Sequence, residues 1–203
     1  MNTPPSYQSQ LSSLLTSSSS FTSSPLDADT IYSEFFFSLA NQSSVTYEIE
    51  TPVSTSISTS TAAPNSSSDK SHTVTVAQNQ NLIDSTGGII WETSYLLLQY
   101  LLLKISILGP NVTLQGFDIS THCDVGSGCG LLPIATQKAF NLDTTATEVG
   151  GEVLELLTSN CSNNGGSVSV SKLDWLSFHG GKEYDLVTGT DVLFREDLVV
   201  PLL

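Results

Sequence analysis

A three-layer α/β fold around a parallel sheet is the architecture this chain predicts, and three observations carry it. From the strand ending at Val125 to Phe194, strand-like and helix-like segments alternate, which implies parallel strands joined by right-handed crossovers. Between the first of those strands and the helix after it lies a glycine-rich loop, "DVGSGCGLL" (Asp124 to Leu132). A lone carboxylate, Glu148, ends the next strand. In an open parallel sheet, ligands bind at the carboxyl ends of the strands, where this loop and this carboxylate fall.

The elements follow in order. Of the first 70 residues, 30 are Ser or Thr. Such a stretch offers little apolar surface to offset the entropy of ordering it. Residues 1–70 are therefore expected to be mostly disordered, with one short helix over about residues 28–40. There Asp29 or Thr30 caps the start, and Ile31, Phe35 and Leu39 share a face. That helix either docks on the domain or remains a fluctuating apolar patch. The folded domain spans 71–203. It opens with an alternating strand, His72 to Gln78, then "STGGIIWETS", whose paired glycines permit an unusual turn or a close approach. A helix follows from Glu92 to Lys104. The apolar run Tyr95 to Leu108 is interrupted by Gln99 and Lys104 and is too short to span a bilayer, so it reads as a buried helix. Beyond the glycine loop come a helix (Leu131 to Phe140), a strand (Asp143 to Glu148), a helix (Gly151 to Asn160), a strand (Ser167 to Leu173) and a strand within Tyr184 to Phe194.

Composition excludes several functions. The net charge is −14, and the six basic residues are scattered. Direct nucleic-acid binding is not expected, because phosphate contacts require Lys and Arg. An acidic chain suits a basic partner, although solubility alone also explains the charge. Cys123, Cys129 and Cys161 are odd in number and form no CxxC pair. Neither a disulfide framework nor a metal centre is expected, and a reducing compartment fits: the cytoplasm, or the nucleus. His72, His122 and His179 have no spacing that suggests a metal or a triad.

The loop itself is informative. Gly126, Gly128 and Gly130 give G-x-G-x-G, and Leu131 stands where the third glycine of a dinucleotide fingerprint would fall. That departs from the nicotinamide and flavin pattern. A carboxylate at Glu148 suits hydrogen bonds from ribose hydroxyls; taken alone, a solvated strand end explains it as well.

With those residues in view, the chain resembles the class I (seven-β-strand) S-adenosylmethionine-dependent methyltransferases. Within them it resembles the protein-lysine methyltransferases called methyltransferase-like 21, or family 16. "TGGIIWETSYLLLQYL" resembles the family's opening segment, whose Trp lies at the cofactor; here that is Trp91. "DVGSGCGLLPIA" is similar to its first motif and supplies Gly126, Ser127 and Gly128, with Asp124 at the mouth of the strand before them, near the positive end of the methionine moiety. "LDW" is similar to the segment whose Trp flanks the adenine, here Trp175. "DLVTGTDVLF" resembles the D-x-x-Y/F signature and gives Asp191 and Phe194, with Thr190 beside the cofactor. "TIYSEFFF" and "DVLFREDLVVPLL" are similar to the ribosomal-protein lysine methyltransferase branch.

The resemblance implies a Rossmann-like sheet, S-adenosyl-L-methionine as cofactor, and an enzyme whose partner is a protein carrying the target lysine, such as a ribosomal protein; a monomer is expected. It implies cofactor contacts at Trp91, Asp124, Gly126, Ser127, Gly128, Glu148, Trp175 and Thr190. Asp191 would orient the incoming amine and Phe194 would wall its channel. Read without the resemblance, Trp91 and Trp175 are core aromatics, Asp191 is a helix N-cap, and Phe194 is ordinary packing. Two departures accompany the match. His122 and Cys123 stand in a strand that burial on both faces would make apolar. The chain also stops at Leu203, after four of the seven strands that the resemblance implies. On this reading the sheet is incomplete at its C-terminus, and weak or absent activity is expected. A non-catalytic cofactor- or partner-binding remnant, a nicotinamide-dependent oxidoreductase and small-molecule methyl transfer are the competing readings.

Overall fold

The computed structural model describes residues 38–50, 71–82, 86–108, 111–177 and 181–202. The expected helix at 28–40 lies outside them except for residues 38–40, which are helical, with Leu39 buried. The next residues form a strand the composition concealed: β1 (Ser44–Glu50) pairs antiparallel with β2 (Ser71–Ala77). Val45, Tyr47 and Ile49 point alternately inward and are buried, as are Val74 and Val76 across from them.

The central sheet is parallel. Its strands are β6 (Thr121–Asp124), β7 (Asp143–Glu148), β8 (Ser169–Lys172) and β9 (Leu186–Thr188), in the order β8-β7-β6-β9. The order reverses between β6 and β9. The carboxyl ends of those strands flank the topological switch point, where such sheets bind ligands. Helix α2 (Leu131–Phe140) crosses from β6 to β7, and α3 (Gly151–Asn163) from β7 to β8. Both begin and end close to the boundaries the hydrophobic spacing predicts.

The β1–β2 pair packs on α2 and α3. The bond between β2 and α3 is made by side chains that imitate a strand. Asn164 Oδ1 accepts from Thr75 N (3.1 Å) and its Nδ2 donates to Thr75 O (2.7 Å). Asn160 does the same for Ala77 N and O, both at 3.0 Å. One helical turn on α3 thus spans two residues of β2, because the two rises nearly coincide. Asn160 Nδ2 also donates to Cys129 O (2.9 Å), tying this seam to the glycine loop.

The apolar run from Tyr95 divides, where a single buried helix was expected. Helix α1 (Glu92–Lys104) ends at Lys104, and β3 (Ile105–Leu108) continues directly from it. It pairs with β4 (Asn111–Leu114), which pairs with β5 (Phe117–Asp118), making a separate antiparallel sheet. Only one side of α1 is buried, at Tyr95, Leu98 and Leu101; Leu96, Tyr100 and Leu103 face outward. Among the described residues no helix is long and apolar enough to cross a membrane.

The two unexpected side chains of β6 sit fully inside. His122 is 0% and Cys123 6% exposed. Cys123, Cys129 and Cys161 are free and buried. The imidazole is accommodated because β9 offers a polar partner: His122 Nε2 lies 2.7 Å from Thr188 Oγ1, and Thr188 Oγ1 donates to Asp124 Oδ1 (2.6 Å). His122 and Asp124 are two residues apart on one strand and so share a face.

Candidate active site

The loop after β6 rises from the sheet and turns into α2 through Gly130. Ser127 pins it at both ends. Ser127 Oγ donates to Asp124 O (2.9 Å) and accepts from Thr147 N (3.1 Å), while Ser127 N donates to Thr147 O (2.9 Å). Gly126 and Gly128 take φ of +65° and +53°, conformations that cost an L-side chain strain. A Cβ at Gly126 would lie 2.9 Å from Val192 Cγ1 and 3.4 Å from the Trp175 ring. A Cβ at Gly128 would lie 3.1 Å from Gly87 O. The loop is therefore seated against the "TGG" turn on one side and the Trp175 turn on the other.

Glu148, at the end of β7, grips the loop. Its Oε1 accepts from Gly128 N (2.8 Å) and its Oε2 from Val149 N (3.0 Å). Burial raises the Glu148 pKa, and these two backbone donors oppose the rise. Each oxygen keeps a lone pair for a further donor.

These pieces enclose a cavity of about 300 Å³, at the small end of the range typical of ligand sites. Gly126, Ser127, Gly128 and Glu148 form its floor; Trp91, Ile90 and Gly87 close one side; Trp175, Leu173 and Val149 close another. Thr190, Asp191 and Phe194 complete the wall. Of the residues the sequence singled out, only Asp124 is absent from it. Asp124 is 3% exposed and lies beneath the loop, with its carboxylate turned to Thr188 and its carbonyl taken by Ser127 and Thr147. Its part is to hold the loop from below, because the strand's alternation directs its side chain into the sheet packing and away from the cavity. Burial pushes its pKa up to about 6 against the opposing Thr188 hydrogen bond.

Trp91 stands at the start of α1, 41% exposed, with Nε1 donating to Thr86 O (3.0 Å). Trp175 is half-buried. Asp191 and Phe194 are exposed, and Asp191 takes φ of +56°. Asp191 and Phe194 also line a second, more open recess of about 530 Å³, with Trp91, Gly189 and Leu193. The cavity carries the carboxylates Glu148, Asp174 and Asp191, against one cation, Arg195. Arg195 is already paired, Nε to Asp197 Oδ1 at 3.0 Å and Nη2 to Oδ2 at 2.5 Å. Such a wall favours a ligand of positive charge.

Sequence reasoning passed over Ser94, Val149, Asp174 and Val192, and marked Gly87 only as one of a pair permitting a close approach. Gly87 carried a signal in its paired glycines. Val149 and Asp174 adjoin the singled-out Glu148 and Trp175. Ser94 gave none, since a hydroxyl in a first helical turn reads as a cap.

Among solved structures, the chain is similar to that of PigF with SAH: 24% identity, TM-score 0.32, 35% of this chain and 22% of that one. It is also similar to coclaurine N-methyltransferase bound to N-methylheliamine and SAH: 21% identity, TM-score 0.37, 53% of this chain and 29% of that one. The matched region thus spans less than a third of either structure. The comparison with curated proteins returned no match. The sequence model of a family described as lysine methyltransferase matches residues 69–203, and the chain belongs to that family.

Proposed function

We propose that this protein binds S-adenosylmethionine in the cavity above β6 and β7 and methylates a lysine side chain of a protein. One observation supports this above the others. A glycine-rich loop, a strand-end carboxylate and two tryptophans share one cavity with the Thr190–Asp191 turn. Glu148 suits the two ribose hydroxyls, the Gly126–Gly128 backbone suits close approach of the cofactor's tail, and the Trp175 face suits the adenine. Family membership supports the lysine acceptor. The likeness of Asp191 to Leu203 to the ribosomal-protein branch makes a ribosomal or other translation protein the acceptor we put forward. The protein would act as a monomer.

When bound, S-adenosylmethionine supplies a methyl group on a positively charged sulfur, already activated toward attack. The protein's own part is alignment and exclusion of water. Asp191 would hold the incoming ammonium until it gives its proton to water, leaving a neutral amine nitrogen aligned for methylation. Phe194 and Trp91 give the aliphatic stem an apolar wall. The excess of carboxylates favours both positive partners over the neutral thioether product.

The test is a calorimetric titration of S-adenosylmethionine, followed by transfer of labelled methyl groups to a ribosomal-protein mixture and hydrolysis to methyl-lysine. The expected affinity is of roughly micromolar order, abolished by Gly128→Arg. Asp191→Ala weakens cofactor binding only modestly, through the loss of one carboxylate of the wall, and loses the label. A wild-type chain that takes up no cofactor overturns the proposal.

A further inference from the structure

Helix α1 begins without a cap from its own sequence. Its N-cap residue is Trp91, which makes no side-chain cap hydrogen bond. Thr93 and Ser94 sit in that first turn, where hydroxyls ordinarily satisfy the helix's own donors. Here both turn outward. Thr93 Oγ1 donates to Asp191 Oδ2, and Ser94 Oγ lies 2.8 Å from Thr190 Oγ1. The start of α1 is thereby latched twice onto the turn after β9, nearly a hundred residues away in the chain. The turn needs holding: Asp191 occupies the left-handed region at φ +56°. Asp191 also stands where the inner cavity meets the outer recess. Its Oδ2 is engaged by Thr93, while Oδ1 has no hydrogen-bond partner among the described residues.

We propose that Thr93 is a positioning residue: its hydroxyl fixes the Asp191 carboxylate through Oδ2, so that Oδ1 receives the alkylammonium arriving through the outer recess. Ser94 holds the preceding residue in the same way. This rests on the methyl-transfer reading, which supplies the ammonium. A carboxylate already fixed in one rotamer binds a cation without the cost of ordering its own side chain.

The test uses n-butylammonium, which reproduces the lysine side chain, titrated into the 203-residue chain saturated with S-adenosylhomocysteine and followed by amide NMR shifts. Thr93→Val is nearly isosteric at a half-exposed position. It weakens n-butylammonium binding roughly two- to tenfold, the range expected for leaving one side chain unordered. S-adenosylhomocysteine affinity stays within about twofold, since Thr93 is not part of the cavity wall. Thr93→Ser restores the wild-type value. In an Asp191→Ala background, Thr93→Val has no further effect. Unchanged affinity in Thr93→Val, failure of Ser to restore it, or an equal loss without Asp191 overturns the inference while the cofactor reading stands. A wild-type protein that binds S-adenosylhomocysteine but no n-butylammonium does the same. A wild type that binds no S-adenosylhomocysteine overturns both.

Discussion

Replacing Asp124 by Asn should change how stability depends on pH. Burial holds the Asp124 pKa at about 6, against an ordinary 3.8. Burial lowers that of its neighbour in the network, His122, from 6.5 to about 4. At pH 5 the unfolded chain carries its proton on His122, whereas the folded chain carries it on Asp124. Both states hold about one proton, so the pair contributes almost no slope between about pH 4 and 6. The hydrogen-bond chain accommodates the transfer by reversing. With Asp124 ionised, His122 Nε2–H donates to Thr188, which donates to Asp124. With Asp124 protonated, each donation runs the other way over the same 2.7 and 2.6 Å contacts. Among the described residues, His122 Nδ1 finds no partner in either arrangement. The signs are opposite. The raised acid pKa gives stability that is full below pH 3.8 and lost as pH rises through about 6. The lowered His pKa gives stability that is full above 6.5 and lost as pH falls toward 4. Each displacement amounts to about 3 kcal/mol. Asp124→Asn keeps an acceptor for Thr188 and removes the first effect. As the pH rises from 4 to 6.5, the stability of the variant relative to wild type should climb by about 2 kcal/mol. Urea unfolding followed by tryptophan fluorescence across pH 4–8 measures this, and the difference curve cancels the titrating groups that do not interact with Asp124. A flat difference curve would refute the reasoning.

Two further predictions concern the glycine loop and its seam. Gly128→Ala and Gly116→Ala both place a Cβ at positive φ, which costs about 1 kcal/mol or more. Only at Gly128 does the new atom meet backbone, at Gly87 O; nothing lies within 4 Å at Gly116. Thermal unfolding should show the greater loss for Gly128→Ala, and calorimetry should show S-adenosylhomocysteine affinity lowered only there. Asn160→Ala strips partners from Ala77 N, Ala77 O and Cys129 O at a 1% exposed position. It should cost about 3 kcal/mol in urea unfolding, and Asn164→Ala, at the more open end of the seam, less.

Legibility followed the periodicity. α2, β7 and α3 were legible because Leu131 to Asn160 switches cleanly between the helical and extended periods, with Gly130 and Gly150 at the junctions. β1 was missed although Val45, Tyr47 and Ile49 alternate, because the surrounding Ser and Thr outweighed three apolar residues. β3 was hidden because Ile105 and Leu108 continue an apolar run that never falls out of helical period. The β4–β5 turn is made by Gln115 and Gly116, at φ +52° and +88°. Gln is not a residue that announces a left-handed turn. In the site, the cavity wall could be read off the motifs, since glycines and strand-end carboxylates mark positions along a parallel sheet. Asp124 could not be separated from them, because its direction depends on strand alternation and on a partner in β9. The Thr93–Asp191 and Ser94–Thr190 bonds join segments that no local pattern relates.

The central claim is that the cavity between the glycine loop and Trp175 holds the methyl donor. A crystal structure with S-adenosylhomocysteine tests it most directly. The account predicts the ribose hydroxyls on Glu148, the adenine beside Trp175 and the amino-acid tail along Gly126 to Gly128. A ligand bound elsewhere, or Glu148 turned away from an empty cavity at millimolar ligand, would contradict it.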